Sequence, residues 1–520
     1  MSRDLSSWIE QHAANSPDRI AIRFEGNEIS YRALHARVLG CANYLYNIHG
    51  IGPGDRVAYL GLNTPECVIA LFACAKLGAI YLPLNWRLAL PELDYVLGHA
   101  TPKVLIADSL HQEAAVKLVA GRSGCTSLDH TCVAPAPKDG SIVLPESNIE
   151  GRLNVPILLV YTSGTTGQSK GVLLTQNALL VNALNSVHMH ELTPADHILT
   201  VLPMFHVGGL NIHTTPGLYI GATITIHQRF DPAETLAAIE KERPNLLVLV
   251  PATIAALIQQ SDWLSTDLNS LRMVTTGSSI VPRSLIEAWH DRGIPVIQVY
   301  GSTETGPVAL YQRREDAMIS VGSAGQGALH TELRITDDSG NDVRPGASGE
   351  LLLRGPNIFQ QYWQDRNASR DAFAAGWFRT GDIGYRDKRG YVFINDRKTD
   401  VVISGGENIY PAELERILDE VDGIIEAAVV GAADDQWGEI PVAIVVIDEG
   451  ATITAQEILS AFKGRLARFK HPKAVGFLSA LPRNVMGKVL KHELRRALGN
   501  GSIPLIQRSQ TPVHQENFLR

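Results

Sequence analysis

The sequence predicts an α/β protein: a large N-terminal body of mixed and parallel sheets with helices and a small β region, then a small mobile C-terminal α+β domain. Three observations lead to this fold class. The chain has 520 residues, whereas single hydrophobic cores stop growing at roughly 250–300 residues. Segments with strand and helix character alternate from residue 20 to about 335. After residue 400 the pattern changes to amphipathic helices and a few strands.

The first part of the chain contains a βαβ unit. RVAYLGL (56–62) is typical of a strand, TPECVIALFACAKLG (64–78) of a helix and AIYLPL (79–84) of a second strand. Two strands joined through a helix pair in parallel, so a parallel sheet follows. Further strands are expected at PILLVY (156–161), ATITIH (222–227), LLVLV (246–250) and PVIQVY (295–300), with a helix at DPAETLAAIEKE (231–242).

The last third of the chain is predicted to contain shorter elements. RITDDSGNDVRPGASGELLLRG (334–355) indicates a small antiparallel β region, and YPAELERILDEV (410–421) an amphipathic helix. TAQEILSAFKGRLARF (454–469) is expected to be helical, with a capping box of Thr454 and Glu457. Its apolar stripe would consist of Leu459, Phe462, Leu466 and Phe469.

The domain boundaries follow from these changes of pattern. We predict an N-terminal domain over residues 1–396, a hinge at 397–400, a C-terminal domain over 401–499 and a flexible tail over 500–520.

Composition and charge exclude several classes of partner. The net charge is −8, and no long basic run is present, which argues against nucleic acid and anionic membranes. No segment has the roughly 20 apolar residues of a transmembrane helix, and the first twenty residues lack an apolar signal core. The five cysteines have no paired spacing, which is typical of free thiols in a reducing compartment. These features predict a cytoplasmic protein, and a homodimer stays open.

The segment YTSGTTGQSKGV (161–172) is the strongest candidate for an anion site. Glycines let backbone N–H groups converge on an anion, hydroxyls add donors, and lysine adds a charge. The spacing differs from a Walker A loop, and a strand-like run follows instead of a helix. A plain serine- and threonine-rich turn is the alternative. The predicted phosphate ligands are Thr162, Ser163, Gly164, Thr165, Thr166, Gly167 and Lys170.

Four further motifs accompany this loop. They are PMFHVGG (203–209), VYGSTETG (299–306), GWFRTGDIGYRDKRGYVFINDRKTDVVISGGENIYPAELE (376–415) and LPRNVMGKVLKHELR (481–495). In content and order the five motifs resemble the adenylate-forming superfamily of acyl- and aryl-CoA synthetases, peptide-synthetase adenylation domains and luciferases. The resemblance covers about residues 5–498. It implies that a carboxylate attacks the α-phosphate of ATP to give an acyl-adenylate, after which the thiol of coenzyme A displaces AMP.

The resemblance also implies roles for residues around the reacting phosphate. Attack on an α-phosphate builds negative charge that needs a cation or donor nearby. Lys488 would bridge the carboxylate and the α-phosphate, and Thr303 would donate to that phosphate. Glu304 would hold Mg²⁺, which prefers one or two carboxylates together with phosphate oxygens. Without the motif, Lys488 would be taken for a solvated surface lysine.

Other residues are implied for the nucleoside. Tyr300, with Gly301 beside it, would stack on the adenine. Asp382 would accept hydrogen bonds from the ribose hydroxyls, with Arg397 as a cationic donor nearby. Core packing is the alternative for Tyr300, and a turn-forming role the alternative for Asp382. The backbone along the adenine would come from Gly277, Ser278 and Ser279.

The acid and coenzyme A are assigned to two glycine-rich segments. His206 would lie beside the carboxylate pocket, with Gly208 and Gly209 leaving room for the acyl group. A core histidine is the alternative for His206. Gly405 and Gly406 would allow close passage of the pantetheine arm.

The two half-reactions would use different surfaces of the C-terminal domain, which predicts a rotation about the hinge. The family usually carries Asp or Lys at the hinge position, where this chain has Thr399.

The acid itself is the least constrained prediction. We expect a fatty or aryl acid, because no arginine pair near His206 indicates a second carboxylate and no aspartate stands there for an amino group. An enzyme with another acceptor, luciferase-like or acylating a carrier protein, shares the motifs. A non-catalytic nucleotide-binding regulator is a third possibility, disfavoured by the intact Lys488, Glu304 and Asp382. A Rossmann oxidoreductase is disfavoured because GSAGQG (322–327) lacks the required glycine order.

Overall fold

The computed structural model describes residues 4–133, 144, 152–162, 169–278, 281–404, 407–434, 437–448, 450–484 and 487–507. The chain divides into two compact units. Unit 1 comprises Met1–Arg334, Leu352–Thr380 and Asp387–Val392, and unit 2 comprises Ile335–Leu351, Gly381–Arg386 and Phe393–Arg520.

Unit 1 contains a nine-stranded sheet whose six central strands are parallel. Each of the predicted strands at 222–227, 246–250 and 295–300 is confirmed within it. In spatial order the strands are Gln326–Gly327, Leu310–Tyr311, Val296–Tyr300, Met273–Thr276, Leu246–Leu249, His197–Thr200, Thr223–Ile226, Ile20–Phe24 and Asn27–Ser30.

A second sheet of unit 1 has seven strands and contains the predicted βαβ unit. Arg56–Leu60 pairs in parallel with Ile80–Leu84, and the helix Pro65–Leu77 connects them. Proline at the first turn and Gly78 in a left-handed conformation after the last turn delimit this helix. In spatial order the strands are Gln361–Tyr362, Lys170–Thr175, Pro156–Thr162, Ile80–Leu84, Arg56–Leu60, Val104–Ala107 and Thr126–Asp129.

Helices cover the sheets of unit 1 and bury its apolar side chains. Trp263 and Trp289 pack edge to face at 4.8 Å between ring centroids in one such core. The α-helices are Ser6–Asn15, Tyr31–His49, Pro65–Leu77, Leu90–Ala100, Gln112–Val119, Gln176–His190, Val207–Gly209, Thr215–Ile220, Pro232–Glu242, Pro251–Ile258, Arg283–His290 and Arg366–Asp371. A π-helical turn spans Leu210–Thr214, and 3₁₀ turns span His130–Val133, Arg152–Asn154, Thr303–Thr305 and Arg314–Asp316.

Unit 2 is built around a six-stranded sheet. The strands are Glu407–Ile409, Val402–Ser404, Gly438–Ile447, Ala474–Phe477 and Leu505–Gln507 in spatial order, with Ile424–Asp434 also paired to Gly438–Ile447. Its helices are Pro411–Leu418, Ala455–Ser460 and Lys491–Gly499, with a 3₁₀ turn at Arg468–Lys470. The helix predicted at 410–421 is confirmed.

The helix predicted over 454–469 is shorter than expected. The capping box of Thr454 and Glu457 is present, but the helix ends at Ser460. Gly464 then turns the chain with a φ of +74°. As a result Phe469 leaves the predicted apolar stripe and is 43% exposed. The prediction of one continuous stripe was wrong at this position.

Part of the tail predicted to be flexible from Asn500 onward belongs to the sheet of unit 2. Leu505–Gln507 pairs antiparallel with Ala474–Phe477, and Ile503 is buried. The rest of that predicted tail lies outside the described residues.

Five further strands lie between residues 332 and 397 and include the predicted small β region. They are Glu332–Thr336, Gly349–Arg354, Phe373–Ala374, Trp377–Arg386 and Val392–Arg397. None of the helices in the described ranges combines the length and the apolar character needed to cross a bilayer.

Candidate active site

The predicted adenine segments lie side by side in unit 1. Gly277 follows the strand Met273–Thr276. Tyr300 ends the neighbouring parallel strand and Gly301 follows it, with Thr276 opposite Gln298. A Cβ on Gly277 would overlap the carbonyl oxygen of Val299, and one on Gly301 would overlap that of Pro307. The chain therefore requires glycine at both positions, because main-chain atoms occupy the space of a side chain.

Ser278 continues this edge of the sheet in a left-handed conformation, with a φ of +77°, and its side chain is exposed. The next predicted residue, Ser279, lies outside the described residues.

The turn that carries Thr303 and Glu304 is fixed by buried amide side chains. Asn357 donates to the carbonyl of Thr305 at 2.8 Å, and Asn211 donates to the carbonyl of Gly306 at 3.1 Å. Both asparagines are fully buried, so their hydrogen bonds form in a site from which water is excluded. Thr303 is buried and Glu304 is half-buried within this turn.

Glu304 is joined to the predicted phosphate loop through Tyr362. The Tyr362 hydroxyl donates to Oε1 of Glu304 at 2.9 Å. The ammonium of Lys170 lies 5.2 Å from the centre of the Tyr362 ring, within the range of a cation–π interaction. Strand pairing explains the arrangement, since Gln361–Tyr362 lies antiparallel to Lys170–Thr175 with Tyr362 opposite Val172.

Only the two ends of the predicted phosphate loop are described. Thr162 ends the strand Pro156–Thr162 and pairs with Lys170 at the start of the antiparallel neighbour, so both flanking strands are confirmed. The five predicted ligands between them, Ser163, Gly164, Thr165, Thr166 and Gly167, lie outside the described residues.

His206 caps a short helix. Its Nδ1 accepts a hydrogen bond from the backbone N–H of Gly208 at 3.0 Å. Burial lowers the pKa of His206 to about 4, so the ring is neutral near pH 7 and its proton resides on Nε2. Gly209 is closely packed, because a Cβ there would lie 2.6 Å from the carbonyl oxygen of Leu202. Gly209 therefore lets the main chain at Leu202 approach closely, and it leaves no empty space for an acyl group at its own Cα.

Three residues predicted from two separate motifs, Asp382, Arg397 and Lys488, lie close together in unit 2. Arg397 Nε lies 3.2 Å from Oδ1 of Asp382. Both charged groups affect the pKa of the Lys488 ammonium. Burial and, after it, the cation of Arg397 lower this pKa below its ordinary value, whereas the carboxylate of Asp382 raises it. Among the described residues, no carboxylate forms an ion pair with Lys488 within 4 Å.

The turn before Lys488 fixes the backbone of this lysine. The side chain of Asn484 accepts from the Lys488 N–H at 2.9 Å, and the Asn484 N–H donates to the Lys488 carbonyl at 2.8 Å. Gly487 completes the turn with a φ of +76°. The backbone of Lys488 is thus fixed by hydrogen bonds that do not involve its ammonium group.

Ion pairs within unit 2 connect the following helix, Lys491–Gly499, to the helix Pro411–Leu418 and to the predicted hinge. Lys491 pairs with Glu415 at 2.8 Å, and Arg495 pairs with Asp400 at 2.6 Å. Thr399 lies exposed in the turn that Asp400 closes onto Arg397. The predicted coenzyme A glycines, Gly405 and Gly406, lie outside the described residues.

The metal prediction concerns a single carboxylate. Within the described ranges, no group of three or more His, Cys, Asp or Glu side chains is arranged to hold a metal ion. Glu304 alone suits Mg²⁺, which takes one or two protein carboxylates and completes its shell with water and phosphate oxygens. The hydrogen bond from Tyr362 occupies one carboxylate oxygen and orients the other.

Sequence reasoning missed Tyr362 and the buried asparagines. Tyr362 belongs to none of the five motifs, and its relation to Glu304 depends on pairing between strands far apart in sequence. A buried asparagine carries no local pattern that separates it from an exposed one.

Comparison with known proteins places these features in a family. A family model described as AMP-binding enzyme matches residues 9–363, and one described as AMP-binding enzyme C-terminal domain matches residues 413–488. The chain belongs to the AMP-binding enzyme family. The resemblance stated from the five motifs and the predicted fold class are thereby confirmed.

Relatives of this AMP-binding enzyme are acid–CoA ligases. It is 48% identical to an indoleacetate–CoA ligase of Aromatoleum aromaticum, over 95% of this chain and 98% of that protein. It is 39% identical to a feruloyl-CoA synthase of Amycolatopsis sp., over 96% of this chain and 100% of that protein. Among solved structures it resembles an O-succinylbenzoate coenzyme A synthetase of Bacillus subtilis in complex with ATP and magnesium ion. The TM-score is 0.83 at 32% identity, covering 94% of this chain and 98% of that one.

Proposed function

We propose that this AMP-binding enzyme is an AMP-forming ligase that joins an aryl carboxylic acid to coenzyme A. The observation that carries the proposal is the group of Asp382, Arg397 and Lys488 in unit 2, which come from two separate motifs and lie close together. The named relatives that act on indoleacetate and ferulate favour the aryl alternative over the fatty acid that the sequence left open.

The nucleotide would bind to main-chain surfaces and to the phosphate loop. Tyr300, Gly301, Gly277, Ser278 and Ser279 are proposed for the adenine. Their close backbone packing supports this, because only glycine fits at Gly277 and Gly301. The phosphates are assigned to the loop from Thr162 to Lys170, of which Ser163–Gly167 carry the glycines and hydroxyls that suit phosphate oxygens.

Residues of unit 2 would bind the ribose and offset the charge of the reaction. Asp382 accepts from the ribose hydroxyls and Arg397 adds a donor. Lys488 has a fixed backbone and no carboxylate partner within 4 Å among the described residues, which suits a group that must bind developing negative charge. In the first half-reaction a carboxylate oxygen forms a bond to the α-phosphorus and the bond to pyrophosphate breaks.

The acid is assigned to the segment around His206, Gly208 and Gly209. A neutral His206 with its proton on Nε2 offers a single hydrogen-bond donor and no charge. Such a ring can orient a carboxylate oxygen without holding it so tightly that attack is slowed. Thr303 is the proposed donor to the α-phosphate from the neighbouring turn.

Glu304 would hold Mg²⁺, oriented by Tyr362. When bound, this ion would neutralise charge on the phosphate oxygens.

Coenzyme A completes the reaction. Its sulfur forms a bond to the acyl carbon, the bond to AMP breaks, and the thiol proton is released. Gly405 and Gly406 are proposed to line its path, and Thr399 to be the pivot between the two half-reactions. The extents of the two domains and of the hinge stay predictions.

A panel of acids tests the proposal. Indole-3-acetate, ferulate, phenylacetate, octanoate and malonate are each incubated with ATP, Mg²⁺ and coenzyme A, and AMP release is measured. We expect coenzyme A-dependent AMP release with aryl acids well above that with octanoate or malonate. Acid-dependent exchange of pyrophosphate into ATP without any stimulation by coenzyme A would indicate another acceptor. Absence of both activities with all acids would refute the proposal.

A further inference from the structure

A narrow cavity opens in unit 1 beside the residues assigned to the acid. It lies between two parallel strands, His197–Thr200 and Leu246–Leu249, and its open space, with the solvent at its mouth included, is about 180 Å³. Gly209 contributes to its wall, which links the cavity to the proposed acid pocket. The remaining wall is apolar except for Thr200 and His213.

His213 is buried without a hydrogen-bond partner. Its side chain is 2% exposed, and neither Nδ1 nor Nε2 has a partner among the described residues. A buried polar group without a partner destabilises the fold, and native proteins pair nearly all such groups. An imidazole has one donor and one acceptor to satisfy, so His213 is suited to a polar group that enters the cavity.

The neighbouring histidine shows what a structural histidine looks like in this core. His190 crosses the His213 ring at 4.2 Å between centroids and an angle of 72°. Its Nδ1 lies 2.9 Å from the carbonyl oxygen of Ser186, and its Nε2 lies 2.9 Å from the hydroxyl of Thr275. Both nitrogens of His190 are therefore satisfied by the protein. His213 differs in this respect alone, since both rings are fully buried.

The charge state of His213 limits what it can bind. Burial, together with His190 and the cation of Arg272, holds the pKa of His213 well below its ordinary value. Arg272 is itself paired with Asp196 at 2.9 Å. A neutral ring without a free cation beside it does not suit a second carboxylate. The neutral imidazole suits an uncharged N–H or O–H group, from which its unprotonated nitrogen can accept a hydrogen bond.

The other polar side chain of the wall, Thr200, is hydrogen-bonded within the protein. Its hydroxyl lies 2.9 Å from that of Thr214, which donates to the carbonyl of Gly209 at 2.8 Å. Thr200 therefore donates its proton to Thr214, and His213 is the wall residue whose two ring nitrogens have no partner among the described residues.

We infer that His213 is a specificity-determining residue that accepts a hydrogen bond from an uncharged N–H or O–H group on the ring of the aryl acid. This inference rests on the proposed function and narrows its substrate class to aryl acids with such a donor. A site that hydrogen-bonds a substrate donor rejects analogues without it, because its own polar group is then left unpaired. We expect a preference of about 10-fold or more, the size of one buried hydrogen bond.

Matched acids measure the preference. Indole-3-acetate is compared with 1-benzothiophene-3-acetate, in which sulfur replaces the N–H at nearly constant shape. 4-Hydroxycinnamate is compared with 4-methylcinnamate in the same way. The kcat/KM for AMP release is measured for each acid with the wild-type protein and with His213→Leu, His213→Gln and His188→Leu. His188 is a half-buried histidine of the same unit, bonded to the Tyr311 hydroxyl at 2.7 Å, and serves as the control.

The expected result is a change of selectivity rather than a general loss. The wild-type protein should prefer the donor acid in at least one pair. His213→Leu should bring that ratio close to 1, by slowing the donor acid and sparing the analogue. His213→Gln, which keeps an acceptor, should retain part of the preference, and His188→Leu all of it.

Two results would overturn the inference. One is a wild-type protein that turns over both members of each pair equally well, and the other is an unchanged ratio in His213→Leu. If His213→Leu does not fold, the inference is tested by the selectivity ratios of His213→Gln and the wild-type protein. In the protein labelled with ¹⁵N-histidine, the resonances absent from His213→Gln should shift with the donor acid and not with its analogue. A wild-type protein that activates no aryl acid at all would instead refute the proposed function.

Discussion

The hydroxyl of Tyr362 donates a hydrogen bond of 2.9 Å to the carboxylate of Glu304. The face of the same ring lies 5.2 Å from the ammonium of Lys170. One tyrosine thus contacts both the residue proposed to hold Mg²⁺ and the cation at the end of the phosphate loop. Its position depends on a two-residue strand paired with the strand that begins at Lys170.

Tyr362→Phe should weaken the binding of Mg²⁺ with ATP and leave the fold intact. The change removes a hydrogen bond to a charged group, worth about 1.5–3 kcal/mol, while it keeps the ring under Lys170. We expect the apparent affinity for Mg²⁺ in ATP binding, measured by calorimetry, to fall about 10-fold. Tyr391→Phe is the control. It removes a similar hydrogen bond of 2.6 Å to Asp316, and neither Tyr391 nor Asp316 has an assigned role. Equal effects of the two changes would contradict the role given to Tyr362.

Lys488→Ala should separate the two half-reactions. In its proposed role Lys488 offsets charge on the α-phosphate, and loss of such a preorganised cation should slow acyl-adenylate formation about 10²–10³-fold. Thioester formation from a supplied acyl-adenylate and coenzyme A should persist. Pyrophosphate exchange measures the first step, and release of AMP from the supplied adenylate measures the second. Lys463→Ala, at an exposed position of the same unit, is the control. A similar loss in both steps would show that Lys488 is not specific to adenylation.

The pH dependence of adenylation should report the environment of Lys488. Its ammonium is the active form and exists below its pKa, which burial and Arg397 lower from the ordinary value of 10.5. The rate should therefore decline as pH rises through a pKa below that value. In Lys488→Arg the guanidinium keeps its charge, so the alkaline decline should disappear from whatever activity remains. The same decline in wild-type protein and Lys488→Arg would assign it to another group.

Gly301→Ala should destabilise the protein. The added Cβ would overlap the carbonyl oxygen of Pro307, which belongs to the backbone and cannot move aside alone. Overpacking of this kind costs about 3 kcal/mol, and the thermal midpoint should fall by several degrees. Gly52→Ala, where an added Cβ meets no atom within 4 Å, should leave the midpoint nearly unchanged. Equal midpoints for both variants would show that the turn relaxes freely.

Much of the fold could be predicted because the central strands carry continuous apolar runs between turn residues. The strand Arg56–Leu60, the helix Pro65–Leu77 and the strand Ile80–Leu84 all lie within the predicted segments. Strand order could not be predicted, because it depends on contacts between distant segments. The prediction of one helix over 454–469 was wrong after Ser460. The apolar residues keep a helical spacing past Gly464, although the chain turns at that glycine.

The candidate site could be predicted only where a local motif carries the chemistry. Asp382, Arg397 and Lys488 were found by their motifs, and they lie close together in unit 2. Tyr362 and His213 have no such motif. Tyr362 was singled out by its hydrogen bond to Glu304, which strand pairing makes possible. His213 was singled out because its ring nitrogens have no partner among the described residues.

The two ends of the proposed site differ in the kind of atom that shapes them. At the end proposed for the adenine, the carbonyl oxygens of Val299 and Pro307 pack on Gly277 and Gly301. Every residue type supplies a main-chain carbonyl. Mutations that exchange the Val299 side chain therefore leave that surface in place. Beside His213 the surface consists of side chains, so a single codon change can remodel it. Acid preference can thus diversify rapidly during evolution while the energy-supplying nucleotide stays the same.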